Sequence, residues 1–290
     1  MEVSISNAEY HADTDRPSKS MLSTLLDRPS TYYKRYLAPP EERSPYKSAK
    51  HLVLGDAVHC QILEPDEFWD RYHMVQTRSR LTKAFREAQE LYPQLVCLTI
   101  PEYDMICQMS EALWNDKHAR TYLELRGKPE RTFYYTDKET GIELKARPDF
   151  ISDNSTYVLD IKTCRSIDPF QFTRDCDDYK YWLSPELINN AVEAVRGKRP
   201  EAYVFLCVEN RGEKKPDTAV YYADLDFLEM GERKLKEALS TLKECRDKGE
   251  WPANKGAAMP VGLTPYRKRQ LERMREDQAN TYFSEVHHAS

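Results

Sequence analysis

The stretch RPDFISDNSTYVLDIKT, residues 147–163, carries Asp149, Asp160 and Lys162 inside runs that otherwise read as β-strand. A strand that faces a core is normally filled with Val, Ile or Leu, so an acid and an amine there need a reason. A lone Asp-x-Lys in a strand is commonly an exposed ion pair. Here the first acid follows Pro148, a turn intervenes, and an apolar strand ends in a second acid and the lysine. Carboxylates packed together repel, and burying them costs several kcal/mol unless something compensates. A hard divalent cation compensates well: Mg²⁺ takes oxygen ligands at roughly 2.0–2.1 Å and keeps several waters. Such an ion polarises a phosphodiester and makes water a stronger nucleophile at neutral pH. Lys162, two residues beyond Asp160, points the same way and can orient the attacking water or offset charge growing on a phosphate.

A β-meander must position these groups. RTFYYTD (131–137), IELKARPDFI (142–151) and TYVLDIKT (156–163) read as strands, joined by the turns KETG (138–141) and SDNS (152–155). If both turns are symmetric, Ile151 faces Thr156, and Asp149 faces Val158, one diagonal step from Asp160. In the first hairpin Asp137 faces Ile142, and Glu130 falls opposite Asp149. Alternation then gathers Glu130, Asp149, Asp160 and Lys162 on one face. A one-residue slip would scatter them. The same pairing sets Arg147 opposite Asp160.

The rest of the chain reads as α/β. Residues 1–50 form short helical patterns punctuated by Pro17, Pro29, Pro39, Pro40 and Pro45. Helices are expected over 51–63 and 102–125, from Asp168-Pro169, from Ser184-Pro185 to near Gly197, and over 226–249. Strands are expected over 201–209 and 218–225. One domain over residues 1–255, with its core at about 50–250, is followed by a basic tail, 256–290, containing the helical segment YRKRQLERMRE.

Composition narrows the function. With 290 residues, 40% hydrophobic and 31% charged, the chain can bury a sizeable core. The formal charge of −5 means that any grip on nucleic acid must come from local positive charge. No apolar run approaches the roughly 18 residues of a membrane span, and the N-terminus lacks a secretory pattern, which points to the cytoplasm. The 7 cysteines are scattered without a C-x-x-C, against a zinc ribbon, an iron–sulfur site or a disulfide framework. There is no P-loop, no G-x-S-x-G and no dinucleotide G-x-G-x-x-G.

Pro148-Asp149 followed by Asp160-Ile161-Lys162 resembles the PD-(D/E)XK nuclease signature. The flanks ISNAEYHAD, RPSKSMLSTLLDRPSTYYKRYL and LGDAVHCQILEPDEFWDRY, then VFLCVEN and YYADLDFLEMGERKLKEALSTLKECRDKGEWP, resemble in that order the RecE-type exonuclease family, the exonuclease VIII catalytic domain. The resemblance implies a PD-(D/E)XK nuclease core, a mixed central β-sheet flanked by helices, with a helical N-terminal part. It implies a Mg²⁺-dependent exonuclease working 5′ to 3′ on linear double-stranded DNA, with a RecT-like annealing protein in phage-type recombination, as a tetrameric ring. Mn²⁺ suits the same oxygen-rich site. Carried over by position, His59 is the helix-borne histidine ligand, Asp149 and Asp160 are the acidic ligands and Lys162 is the motif lysine. Glu130 stands where related nucleases place a further acid, and the Ile161 carbonyl faces the metal. One segment departs from the family. In YKYWLSPELINN, Tyr179 and Tyr181 fit, whereas Trp182, Ser184 and Ile188 replace the usual His, Gln and later Tyr.

DNA handling needs phosphate contacts and aromatic faces, for which Arg147, Arg165, Tyr179 and Tyr181 are the nearest candidates. Arg78, Arg80, Lys83, Arg86, Arg174 and the tail's Arg267, Lys268 and Arg269 are further basic residues. Two other readings stay open. One is a PD-(D/E)XK endonuclease or a single-strand or defence nuclease; the other is a DNA-binding or assembly module with weakened turnover, which the altered segment permits.

Overall fold

The chain begins with β1 (Glu2–Val3) and three helices, α1 (Asn7–Ala12), α2 (Lys19–Asp27) and α3 (Pro29–Tyr32). Next, α4 (Lys50–Leu63) and α5 (Phe68–Arg71) lead into β2 (Tyr72–Val75), and α6 (Lys83–Leu91) leads into β3 (Val96–Thr99). Two helices, α7 (Ile100–Asn115) and α8 (Lys117–Leu123), precede five strands: β4 (Gly127–Pro129), β5 (Thr132–Thr136), β6 (Glu143–Ala146), β7 (Phe150–Ser152) and β8 (Tyr157–Cys164). After α9 (Pro169–Asp178) and α10 (Leu183–Arg196) come β9 (Ala202–Glu209), β10 (Thr218–Tyr222), α11 (Leu225–Lys248) and α12 (Pro265–His288). The computed structural model describes residues 1–43, 50–210, 215–253 and 261–288; Pro45 and tail residues 256–260 lie outside them. Contacts divide the chain into the units Met1–Ala253 and Asn254–Ser290. Among the described residues no helix is long and apolar enough to cross a membrane.

Local chemistry sets the helix limits. Asp168 caps α9 by accepting from the Gln171 N–H at 3.0 Å, and Pro169 opens the helix. Gly197, with φ of 72°, ends α10 in the left-handed conformation that glycine adopts freely. Pro185 falls in the first turn of α10 and so starts that helix without interrupting it. The single helix expected over 102–125 is in fact two. Asp116 turns its carboxylate onto the N–H groups of His118 and Ala119, which caps α8 and stops α7.

The central sheet has the order β10-β9-β8-β7-β4, with β8 and β9 parallel and the other neighbours antiparallel. This is the expected mixed sheet, and helices cover both faces. Val158, Tyr203, Phe205 and Cys207 pack toward α2, α10 and α11. The alternate residues Leu159, Ile161, Val204, Leu206 and Val208 pack toward α4 and α7. Asp160 and Lys162 therefore project on the α10 side, between Val158 and the aromatic residues of β9.

The meander is bent where Glu130 and Asp149 lie. The first hairpin keeps the expected register, with Phe133 opposite Ala146. That register runs on into β4 and β7, with Pro129 opposite Phe150. Between these pairs the ladder breaks, so 142–151 is two strands and not one. Proline at 148 has no N–H to offer a ladder, and Glu130 takes a positive φ of 49°. Across the break the Glu130 N–H still donates to the Asp149 carbonyl at 3.0 Å. The second hairpin differs from the symmetric-turn expectation. Ser152 stays in β7 and Tyr157 begins β8, so Ile151 faces Val158 and Phe150 faces Leu159. Asn154 Oδ1 accepts from the Thr156 N–H and Ser152 Oγ accepts from the Tyr157 N–H, fixing this later turn. A shift of two residues preserves the face and brings Asp149 directly across from Asp160.

The wall formed by α10 is held by close backbone packing. A Cβ added at Gly231 of α11 would sit 2.2 Å from the Trp182 carbonyl oxygen. Glycine to alanine in an unhindered helix stabilises by about 0.5–1 kcal/mol. Here Gly231→Ala is expected to do the opposite and cost about 1–3 kcal/mol, read as a lower urea midpoint at unchanged m-value.

Candidate active site

At the bend, β4, β7 and α4 bring three side chains together. The donor atoms of His59, Glu130 and Asp149 lie within 4.8 Å of one another. His59 comes from α4, in the layer opposite α10, and its Nδ1 stands 3.3 Å from Asp149 Oδ2. The same Asp149 oxygen accepts the Ile161 N–H at 2.7 Å, which ties the carboxylate to β8. Asp160 is adjacent but differently engaged. Its Oδ1 accepts from the Lys162 ammonium and its Oδ2 accepts from the Tyr203 hydroxyl at 2.7 Å. The expected pair of acidic ligands thus appears as two arrangements side by side: Asp149 with His59 and Glu130, and Asp160 with Lys162 and Tyr203.

The electrostatics separate the acids. Burial, reinforced by Asp149, pushes the Glu130 carboxyl up to about 8. Burial and Asp160 also raise Asp149, against the pull of His59. Burial would raise Asp160 too, but Lys162 and Tyr203 outweigh it and hold its carboxyl below the usual range. Lys162 is held above the ordinary lysine value because Asp160 and Asp149 outweigh its own burial. Two carboxyls that resist ionisation beside a histidine form a donor set short of positive charge. That is the condition a divalent cation relieves, and the oxygen-rich set fits a hard ion.

A cleft of about 120 Å³ opens against these groups, lined by Asp149, Asp160, Lys162, Tyr203, Ser184 and Ile188 among others. The altered α10 segment supplies its apolar side. Trp182 and Ile188 are both buried in the core layer between α10 and the sheet. Polar support comes from Tyr203 of β9, whose hydroxyl also lies within hydrogen-bonding reach of Ser184 at the start of α10.

The four candidate DNA contacts fall in different settings. Tyr179 is 54% exposed and stacks on Tyr181 with ring centroids 5.6 Å apart, and the Tyr181 ring carries the Lys162 ammonium 4.9 Å from its centroid. Arg165 is exposed just beyond β8. Arg147 lines the cleft from within its wall, with a side chain only 6% exposed. Its guanidinium donates to Thr132 Oγ1 at 2.8 Å and to the Ile5 carbonyl at 3.1 Å, and it stands 3.9 Å from Glu130. The backbone of Ile161 is held between Asp149 and β9.

Tyr203 and Lys19 are polar cleft residues that escape sequence reasoning. Tyr203 reaches Asp160 because β9 runs parallel to β8 with Val158 beside Tyr203. The one signal is a tyrosine inside the apolar run AYVFLCVE. Lys19 arrives with α2, and nothing in RPSKSML ties it to a strand some 140 residues later.

A mixed sheet with flanking helices, acids at a bent hairpin and an Asp-x-Lys on the next strand together define a PD-(D/E)XK-like domain, the class of nucleases. The chain belongs to the family described as PDDEXK-like domain of unknown function (DUF3799), whose pattern matches residues 18–260. No curated protein matches the sequence. Among solved structures, a protein of Eubacterium rectale named "putative exonuclease" aligns with a TM-score of 0.62 at 11% identity, over 90% of this chain and 97% of that one. At that identity the likeness concerns the fold. The protein SSO0001 aligns over 67% of this chain and 88% of its own at 13% identity, with a TM-score of 0.28, too low to define a common fold.

A cation held by these raised carboxyls would bind in a pH-dependent way. Glu130 must lose its proton to serve as a ligand, so Mn²⁺ or Mg²⁺ binding at pH 7 is expected to release close to one proton from it. Calorimetric titration in two buffers of different ionisation enthalpy measures that release. The sign for folding is opposite to the usual carboxylate. Because the folded-state value lies above the unfolded one, the contribution of Glu130 to the metal-free fold is lost as pH rises from 4.5 to about 8.

Proposed function

We propose that this protein is a divalent-metal-dependent deoxyribonuclease that degrades linear double-stranded DNA from its ends. The observation that carries this reading is Asp149, which clusters with His59 and Glu130 on one side and lines, on the other, the cleft that also holds Asp160, Lys162 and Tyr203. His59, Glu130, Asp149 and Asp160, with the Ile161 carbonyl, would hold the ion, either Mg²⁺ or Mn²⁺. When bound, the cation supplies charge to the phosphodiester and a more acidic water. Lys162 keeps its proton at neutral pH and acts as a donor to the attacking water or the phosphate oxygen. Tyr203 fixes Asp160, and Asp160 in turn fixes the direction of the lysine. Arg147 holds the Glu130 corner and adds positive charge to the cleft wall, while Arg165, Tyr179 and Tyr181 meet the DNA backbone and bases at its mouth.

The RecE-type resemblance supports the finer parts of this reading: attack from the 5′ end, a ring of four subunits, and a RecT-like annealing partner in phage-type recombination. End-labelled linear duplex with Mg²⁺, beside a closed circle, tests the first. Early release of 5′ label with circles intact is expected. Nicked or cut circles would replace the exonuclease with an endonuclease of the same class. The altered segment permits weakened turnover, but the Tyr203 hydroxyl gives Asp160 a polar partner where Ile188 gives none, which favours an active enzyme.

A further inference from the structure

Lys19 stands in the cleft with no carboxylate in contact among the described residues. It is the first residue of α2, more than a hundred positions from the strands, and it lines the same cleft as Asp149, Asp160 and Lys162. Its neighbours are instructive. Lys162 pairs with Asp160, and Lys180 pairs with Asp27 at 2.7 Å. Among the described residues Lys19 forms one hydrogen bond, to the Tyr179 carbonyl at 2.7 Å, and no carboxylate pairs with it. An ammonium carries three donors, so two remain for a ligand.

Its placement is also organised. The Lys19 ammonium lies 5.2 Å from the centroid of the Tyr181 ring, and that of Lys162 lies 4.9 Å from it. One aromatic ring thus holds two ammonium groups within about 10 Å of each other. Burial and the nearby Lys162 charge make the Lys19 cation costly, lowering it to about 8. Asp160 attracts it across the cleft, but both oxygens of that carboxylate are engaged by Lys162 and Tyr203, so this half-buried cation with open donors has room for a further anion.

We propose that Lys19 is a phosphate-binding residue, holding a backbone phosphate of the bound strand next to the one that Lys162 serves. This rests on the nuclease reading above and adds a subsite to it. In such a subsite α2 anchors the strand, Tyr181 spaces the two ammonium groups, and the Tyr179 carbonyl aims the Lys19 head. Lys19 takes no part in breaking the bond. Its removal should weaken binding and leave the chemical step alone.

The test is steady-state cleavage of a linear duplex by the full chain with Mg²⁺, across about 50–200 mM salt. Lys19→Met is expected to raise KM about tenfold with kcat unchanged, and to lower the salt slope by about 1, the effect of one lost phosphate contact. Lys19→Arg should restore both, since a guanidinium also binds phosphate. Thermal melting of both variants separates these effects from a fold defect, and Lys19→Gln serves if the methionine variant melts early. Wild-type cleavage with KM and salt slope unmoved by Lys19→Met and Lys19→Gln would overturn the subsite and leave the nuclease reading intact. A fall in kcat at constant KM would also overturn it. Absence of cleavage by the wild type in Mg²⁺ and Mn²⁺ would overturn the nuclease reading and the subsite with it.

Discussion

Replacing Lys162 with Met is expected to lower DNA cleavage by about 10²–10³-fold, the scale of losing one preorganised donor in a water-poor site. The ammonium is fixed by Asp160 and rests against the Tyr181 ring, so it needs no reorganisation to act. The same change has a structural consequence of known sign. Asp160 is buried, and its carboxyl sits low because Lys162 outweighs the cost of that burial. A depressed carboxyl contributes stability above its unfolded-state value and loses it as pH falls through the folded one. Without Lys162 that contribution disappears at neutral pH, and the metal-free variant should melt earlier than wild type. Divalent cation should recover much of the melting temperature, because it offers Asp160 another positive charge. Cleavage should not recover. Thermal melting with and without Mg²⁺, alongside single-turnover cleavage, reads both effects; recovery of activity with recovery of stability would show Lys162 to be structural only.

Asp149→Asn should act in the contrary direction on the metal-free fold. Asp149 faces Glu130 and Asp160, and burial together with Asp160 raises its carboxyl. A raised carboxyl is a strained one at neutral pH, so a neutral amide of the same shape relieves the corner. The amide oxygen can still accept the Ile161 N–H that Asp149 accepts at 2.7 Å. A gain of about 1 kcal/mol, or about 2–4 °C in melting temperature for a domain of this size, is expected in EDTA. With Mg²⁺ the order should reverse. Wild type gains stability by mass action, whereas the variant has lost the carboxylate between His59 and Glu130 and gains little. Cleavage should be lost. An equal rise for both proteins on adding Mg²⁺ would place the cation elsewhere.

How much of this was legible in the sequence follows from which forces set each feature. That Asp149, Asp160 and Lys162 line one cleft could be read from alternation, because a register error of two residues leaves a face unchanged, whereas Glu130, beyond the break, lies with His59. The error itself arose at Ser152-Asp153-Asn154-Ser155, where side-chain hydrogen bonds move the turn one residue along each strand. The break at Arg147-Pro148-Asp149 was signalled by the proline, yet the bend it produces depends on the two sheets that β5 and β4 join. His59 on the apolar run HLVLGDAVHCQIL became a candidate ligand only through the resemblance, since periodicity there shows a buried helix and no ligand. Tyr203 and Lys19 depended on a parallel strand pairing and on the docking of α2, which tertiary packing decides. The short β1 and the pair β2–β3 were also missed, being only two and four residues long.

The most direct test of the central claim is cleavage of linear duplex by protein stripped with EDTA and then titrated with Mg²⁺ or Mn²⁺, for wild type and Asp149→Asn side by side. We expect no cleavage by stripped wild type, full recovery as the cation saturates, and none at any concentration for the variant. Cleavage by stripped wild type, or recovery of the variant to the wild-type rate, would contradict a metal centre built on His59, Glu130 and Asp149.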